Sequence, residues 1–347
     1  MNWDERIINE EELNLFLKAD TRPSLAARVG ALIEQQRNAW PLLREGYDAL
    51  AHVEMKRVKV EESEIVIQHN PKRIRSTAAP VDRASISERR CFLCADNLPP
   101  EEKGIRYGSD LIIFCNPFPI LNRHLSIIHR HHVEQKIEGY VEAMLSLAAD
   151  LGPDYFVLYN GPECGASAPD HFHLQACSRE LLPIERDLQS GETEQAAHCS
   201  ICEENARDTF ELFTLAGCGR SVIVFRGNND NELTRWIYRV LGELSRDTGK
   251  SEPMVNIIST CNKGVWTVYL FPRTRHRPAS FFAEGDERLL VSPGAIDMAG
   301  VVVVPQHDHF AKIDGERLTY IFAEVSYDEQ AVNEILERMP ESGEELW

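Results

Sequence analysis

No stretch of this sequence approaches the 18 or more uninterrupted apolar residues of a membrane-spanning helix. The opening segment, MNWDERIINEEELNLFLKAD, is acidic, where a secretory leader carries a basic region and then an apolar run. Membrane insertion and export are both disfavoured, and the expectation is a cytoplasmic chain. Positive charge is also scarce. The 37 Lys and Arg against 55 Asp and Glu leave a formal net charge of −18, a field that repels a nucleic-acid backbone unless a local basic patch overrides it. Cysteine is neither dense nor even in number: nine thiols (Cys91, Cys94, Cys115, Cys164, Cys177, Cys199, Cys202, Cys218, Cys261) are scattered over 347 residues. That excludes a secreted disulfide scaffold and fits a reducing compartment.

What is present is ordinary globular composition, 43% hydrophobic and 27% charged, in a chain long enough for one large or two medium domains. The first 50 residues read as helical, with Ser24 as N-cap before Leu25, Val29, Leu32 and Ile33. β-type runs follow, HVEMKRVKV and EIVIQ, then a basic turn, HNPKRIRS. Next come strands LIIFCNPFPI and LSIIH, a helix predicted over 133–151 and stopped at Gly152-Pro153, strand YFVLYN, the glycine-bearing loop GPECGASAPD and strand HFHLQAC. Polar residues over 185–207 are the best candidate linker. Beyond them the pattern repeats: strand SVIVF, a helix over 232–245, strand MVNIIST, a Cys-Asn-Lys-Gly turn and strand VWTVYLF. This order suggests an ancient duplication. From Ala323 onward an acidic, solvated helix and tail are expected.

The sharpest chemical signal is His171-Phe172-His173-Leu174-Gln175. On a strand, His171, His173 and Gln175 share one face and Phe172 and Leu174 the other. A neutral imidazole is a competent nucleophile near pH 7 and can attack an α-phosphorus, carrying the nucleotidyl group covalently. Two histidines merely satisfied within a sheet would be the bland alternative. Their company argues against it: Gly161, Gly165, Ala166 and Ser167 form a small-residue loop just upstream, which lets backbone N–H groups and a hydroxyl approach phosphate oxygens.

The segments NPFPILNRHLSIIHRHHVE and NGPECGASAPDHFHLQ resemble the histidine triad superfamily, in the branch of galactose-1-phosphate uridylyltransferase, diadenosine tetraphosphate phosphorylase and the GDP-hexose phosphorylases, the last looking closest. The similarity extends to ELLPIE, VIQHNPKRIRS and, loosely, YLFPRTRHRP, covering roughly residues 50 to 310. It implies an α+β fold of two histidine-triad-like halves with mostly antiparallel sheets. His173 would be the nucleophile, Gln175 a ligand of the transferred phosphate, and His171 the group orienting His173. Asn160, Gly165 and Ser167 fall where the family holds phosphates, and Asn116 where ribose or phosphate contacts are expected. Gln175 stands where the hydrolases of the superfamily have a third histidine; a carboxamide cannot act as an acid, which favours transfer over hydrolysis. The loop SAPDHFH carries one more residue before its first histidine than the S-x-P-H-x-H form, a departure that bears on Ser167 more than on His173.

Cys91-x-x-Cys94 can give two thiolates to one zinc. Zinc-bearing relatives resemble the chain at Cys91, Cys94, His132 and His171; the competing set is Cys91, Cys94, Cys199 and Cys202, with His198 as a further candidate. Two basic clusters, Lys72, Arg73 and Arg75, and Arg273, Arg275, His276 and Arg277, could neutralise a diphosphate. In the second half Thr267 and Tyr269 replace an H-x-H, so that half is expected to be degenerate, and His307-Asp308-His309 is expected at the surface.

The expected organisation is therefore a helical segment (1–50), a catalytic half (51–190) and a degenerate half with an acidic tail (191–347). The expected activity is nucleotidyl transfer from a nucleoside diphosphate hexose to inorganic phosphate. A dinucleoside polyphosphate donor at the same residues, and a zinc-stabilised nucleotide-binding protein without turnover, are the alternatives. A homodimer is compatible with this reading.

Overall fold

The computed structural model describes residues 3–17, 23–78, 83–190, 195–201 and 209–339. The first β-type runs form a hairpin of β1 (Glu54–Val60) and β2 (Ser63–His69), turned at Glu61, which takes a positive φ of 50°. The first half continues with β3 (Gly104–Tyr107), β4 (Leu111–Cys115), β5 (Leu125–His129), β6 (Tyr155–Asn160) and β7 (His173–Ser178). The second half supplies β8 (Gln195–Ile201), β9 (Phe210–Leu215), β10 (Val222–Gly227), β11 (Val255–Asn262), β12 (Val265–Pro272) and β13 (Val301–Val304). The fold is α+β, and its pairings are antiparallel except for β2 with β13.

Ten strands make one continuous sheet in the order β3-β4-β5-β7-β6-β11-β12-β10-β9-β8. The order is a palindrome about the β6–β11 pair, where Ile258 lies opposite Leu158. Each half is the other's pseudo-twofold image, as the repeated pattern in the sequence suggests. Because Leu158 pairs with Gln175 and Ile258 with Tyr269, Tyr269 occupies the place of Gln175. Two residues earlier on each strand, Thr267 takes the place of His173.

Two packing layers cover this sheet. On one face lie the helices Val141–Leu151 and Asp230–Thr248, with Leu145, Leu151, Trp236 and Val240 buried against Leu174, Tyr159 and Ile257. On the other face sit two separate apolar clusters. One joins Phe156, Leu158 and Cys177 to the β1-β2-β13 sheet; the other gathers Trp3, Leu98, Ile112, Phe114 and Ile128. The gap between the two clusters falls over β5 and β7, and the site lies there.

Several elements differ from the sequence expectation. The helix predicted over 133–151 begins only at Val141; before it, Val133 C=O accepts from Phe172 N–H just ahead of β7 and residues 138–140 form a turn. The candidate linker contains the helix Pro183–Ser190, whose Ile184 is buried, and the edge strand β8. The acidic C-terminal region is not wholly solvated: Val332, Ile335 and Leu336 of the helix Glu329–Glu337 are buried. Ser24 does cap its helix, accepting from Ala27 N–H at 3.2 Å. Among the described residues no helix is long and apolar enough to cross a membrane.

Candidate active site

Strand alternation does the first part of the work. Phe172, Leu174 and Ala176 enter the core beneath the sheet, and His173 and Gln175 project into the gap above it. On β5, Ile128 lies opposite His173 and Ser126 opposite Gln175; on β4, Phe114 lies opposite Ser126. These side chains floor a 430 Å³ cavity with His173 and Gln175 on its wall.

His173 Nδ1 lies 2.9 Å from the backbone carbonyl of His171. A carbonyl can only accept, so Nδ1 carries the proton and Nε2 presents a lone pair. Burial holds the ring's pKa below the usual histidine value, and it is neutral at pH 7. The strand is itself clamped. The buried carboxamide of Gln135 accepts from His173 N–H at 2.8 Å and donates to His173 C=O at 3.0 Å and to Asn160 C=O at 2.9 Å.

A buried histidine to which the sequence alone assigns no role sets the direction of Gln175. Ile120 N–H donates to His124 Nδ1 at 3.2 Å, so His124 carries its proton on Nε2, which donates to Gln175 Oε1 at 2.7 Å. The Gln175 NH₂ is thereby left as a donor for an anion. Burial and the Arg73 charge push the His124 pKa down to about 3, which keeps this relay in one tautomer. Replacing His124 with phenylalanine is expected to lower turnover roughly tenfold, the worth of one oriented hydrogen bond. Unchanged steady-state kinetics in a folded variant would refute the relay.

Beyond Gln175 a second, smaller cavity of 80 Å³ opens. It shares Arg73, Asn116, Ser167 and Gln175 with the first and adds Asn160, Gly165 and, from the second half, His276, Arg277 and Ser292. Gly165 has a φ of +106°, and a Cβ there would meet Gly294 Cα at 2.9 Å, so glycine is required for the loop to lie against its neighbour. Asn160 Oδ1 accepts from Asn256 Nδ2 and Ala295 N–H, both at 2.8 Å, leaving its own NH₂ toward the cavity. Ser167 lines both cavities despite the extra residue in its loop. Arg73, held by Phe118 C=O at 3.0 Å, keeps its charge although burial lowers its pKa to about 10.

The other basic candidates divide. Arg277 lines the polar cavity and donates to Ser292 Oγ at 3.0 Å, whereas Lys72 is exposed. Arg273 does not line either cavity: it is 1% exposed and donates to Asn256 Oδ1 and to the carbonyls of Val325, Pro293, Arg275 and His276. With those donors engaged it braces the loop behind Asn160 rather than meeting a phosphate. The side chain of Arg75 lies outside the described residues. His309 is buried, accepting Leu290 N–H at 2.9 Å, and so is internal rather than superficial.

The four ligand atoms of Cys91, Cys94, His132 and His171 lie within 4.8 Å of one another. His171 Nε2 donates to His129 C=O at 2.7 Å, leaving Nδ1 bare, 3.3 Å from Cys91 Sγ. His132 Nδ1 stands 3.4 Å from Cys94 Sγ, with Asp170 at 3.8 Å from its other nitrogen and Arg89 bonded to Asp170 at 2.7 Å. Two thiols, the bare Nδ1 of His171, the His132 imidazole and an outer carboxylate are a donor set suited to a tetrahedral metal ion. Of the competing set, Cys199 is on β8, at the opposite edge of the sheet from β3, and Cys202 lies outside the described residues.

No protein of curated function matches the sequence. A family described as "Domain of unknown function (DUF4922)" matches residues 32–178, the stretch carrying the Cys91, Cys94, His132 and His171 cluster and His173. Among solved structures, yeast Ap4A phosphorylase Apa2 superposes on the chain with a TM-score of 0.51 at 15% identity, over 84% of this chain and 94% of that one. Its complex with Ap4A gives 0.55 at 15% identity (84% and 97% covered), and its complex with AMP gives 0.52 at 13% (84% and 96%). The chain shares the fold of these yeast phosphorylase structures. The histidine-triad likeness read from NPFPILNRHLSIIHRHHVE and the H-x-H-x-Q segment thus has its structural counterpart in the two mirrored half-sheets.

Sequence reasoning missed Trp40 and Leu42, at the junction of the helices Leu25–Ala39 and Pro41–Leu50, which wall the larger cavity. Pro41 just after Trp40 marked the junction, but nothing local marked its destination. It also missed Gln135, concealed inside an apparent helix.

Proposed function

We propose that the chain is a nucleotidyltransferase of the phosphorylase type that carries the nucleotidyl group on His173. The observation that carries this reading is the bare Nε2 of a neutral His173 on the wall of a cavity large enough for a nucleoside. Nε2 attacks the α-phosphorus of a nucleoside diphosphate hexose, the P–N bond forms, and the bond from that phosphorus to the bridging oxygen breaks. Hexose 1-phosphate leaves with the electron pair. An oxygen of inorganic phosphate then attacks the same phosphorus, the P–N bond breaks, and the nucleoside diphosphate departs. The positive charge that develops on the ring in the first step is shared through Nδ1–H with the His171 carbonyl, while Gln175, Arg73 and Ser167 meet the phosphoryl oxygens.

The leaving-group side supports the hexose donor. The polar cavity offers Ser292, Arg277 and His276 and has no Phe, Tyr or Trp among its lining residues, so a sugar phosphate suits it better than a second nucleoside base. The second reading, phosphorolysis of a dinucleoside polyphosphate by the same residues, draws on the fold shared with the yeast Ap4A phosphorylase structure solved with Ap4A. Cys91, Cys94, His132 and His171 would hold a zinc ion, whose contribution is to fix the start of β7. None of the bond-making is assigned to it.

The test is incubation of the protein with nucleotide sugars and dinucleoside polyphosphates, with and without phosphate, followed by intact-protein mass spectrometry. An acid-labile nucleotidyl adduct on His173, discharged by phosphate, is expected. Absence of any adduct and of any phosphate-dependent product, with every donor, would remove both enzyme readings and leave a binding protein without turnover.

A further inference from the structure

The loop that enters β11 reaches back into the first half. Glu252 stands half-buried three residues before Val255, and its Oε1 accepts from Ile137 N–H at 3.2 Å and from the Tyr159 hydroxyl at 2.6 Å. Both donors belong to the support of His173. Gln135, whose carboxamide clamps His173 N–H and C=O, lies on the segment between Val133 and Ile137. That segment is tied at its start, where Val133 C=O accepts from Phe172 N–H, and at its end by Glu252. The Tyr159 oxygen also stands 3.3 Å from the Gln135 backbone carbonyl, between the carboxylate and the clamp. The brace runs in one direction only. Leu158 and Ile258 face each other at the pseudo-twofold axis, so along the chain Ser259 answers to Tyr159, Pro253 to Pro153 and Glu252 to Gly152. Gly152 has no side chain to lend, and Ser259 Oγ is buried with no hydrogen-bond partner among the described residues. The helix-to-strand loop spans 249–254 in the second half against 152–154 in the first, and the longer loop is the one that carries Glu252.

Resting on the nucleotidyl-transfer reading of His173, we propose that Glu252 is a positioning residue for that nucleophile, lent across the pseudo-twofold axis by the half in which Thr267 and Tyr269 replace an H-x-H. Glu252 lines neither of the two cavities. It acts through Ile137 and Tyr159 on Gln135, and through Gln135 on the backbone of His173. The degenerate half is thereby required by the other. A nucleophile must stay in line with the phosphorus, and a displacement of about 1 Å can cost on the order of a hundredfold in rate. Reach rather than charge is what the brace demands. Burial pushes the Glu252 carboxyl up to about 7, against the opposing pull of Tyr159, the Ile137 N–H and Lys136. A neutral carboxamide oxygen at the same place would accept the same two bonds.

The experiment compares wild-type protein with Glu252→Asp, which keeps the charge and loses the reach, and Glu252→Gln, which keeps the reach and loses the charge. On the metal-loaded protein, kcat is read beside the calorimetric Kd for AMP, GMP, CMP and UMP. The exchange rate of the His173 backbone N–H is followed separately, by mass spectrometry with fragmentation to single residues. Glu252→Asp should lower kcat about tenfold, leave Kd within about twofold and speed His173 exchange about tenfold, whereas Glu252→Gln stays within about threefold of wild type in all three. A side chain that only stabilised the fold would lower Tm without separating kcat from Kd. Equal losses in the two variants, or His173 exchange as slow in Glu252→Asp as in wild type, overturn the assignment. Should Glu252→Asp fail to fold, Glu252→Ala, which leaves no carboxylate to bury, takes its place with the same expectations. Wild-type protein that turns over no donor removes the nucleotidyl-transfer reading, and the exchange ranking alone then upholds or overturns the brace. Wild-type turnover with both variants unimpaired overturns the role of Glu252 alone.

Discussion

Replacing His173 with alanine is expected to lower phosphate-dependent turnover by about 10,000-fold or more while leaving nucleotide affinity within a few fold. The asymmetry follows from where the ring sits. His173 is one wall residue among the many that line the larger cavity, so its contribution to ground-state binding is shared with Phe114, Ile128, Arg73 and Gln175. In bond formation it has no substitute. His124 has its Nδ1 occupied by Ile120 N–H and its Nε2 by Gln175, and His171 has its Nε2 on His129 C=O and its Nδ1 among the thiols. Neither can present a lone pair to the phosphorus. Steady-state kinetics beside calorimetry of the same variant separates the readings: a binding protein without turnover would show no activity to lose. The pH profile gives an independent check. Because burial lowers the His173 pKa below 6.5, the nucleophile stays unprotonated on the acid side of the ordinary histidine range. The acid limb of kcat/KM assigned to this ring is expected below pH 6.5, and activity falls as pH drops through it.

The parts of this site that are legible in the sequence are those whose chemistry lies along one strand. Period-two alternation alone puts His171, His173 and Gln175 on one face, and the run of small residues next to them reads as a phosphate loop by its composition. The duplication is legible for a related reason: strand, helix, strand, turn, strand is a local order, and the palindromic sheet is its consequence. What the sequence does not reveal are contacts that local patterning leaves unspecified. Residues 133–140 continue the apolar spacing of the helix that follows, yet 133–137 stay out of the helix and 138–140 form a turn, because Phe172 N–H bonds to Val133 C=O at 2.8 Å and the carboxamide of Gln135 replaces strand partners on His173. Tertiary hydrogen bonds here override helical periodicity. The hairpin β1-β2 looks in sequence like part of the catalytic half, but its third strand is β13, more than 200 residues later. Arg273 illustrates the same limit. An arginine after a strand in an acidic chain reads as a phosphate ligand until its neighbours are known, and five carbonyl-type acceptors convert it into an internal brace.

Stripping the metal cluster is expected to abolish turnover while the central sheet persists, and the reason lies in His171. Its imidazole reaches the two thiols and its backbone carbonyl holds the proton of His173 Nδ1, so one residue ties the cluster to the orientation of the nucleophile. Burial first, and then the neighbouring Cys94 and Asp170, push the Cys91 thiol up to about 12, so without a cation Cys91 remains protonated and the cluster is held together only weakly. A metal that binds the folded chain in preference to the unfolded one adds several kcal/mol of stability by linkage, and its removal is expected to lower Tm by roughly 10 °C. The fall should be accompanied by little loss of far-ultraviolet circular dichroism, because the cluster meets the sheet at strand ends, where His132 follows β5, His171 precedes β7 and the Cys91–Cys94 turn lies ahead of β3. Metal analysis of the purified protein should give one zinc per chain, lost in Cys94→Ser and retained in Cys202→Ser. Zinc retained in Cys94→Ser, or full turnover in a verified metal-free protein, would break the link between cluster and nucleophile. Loss of zinc in Cys202→Ser would instead restore the all-thiolate set that spans the two halves.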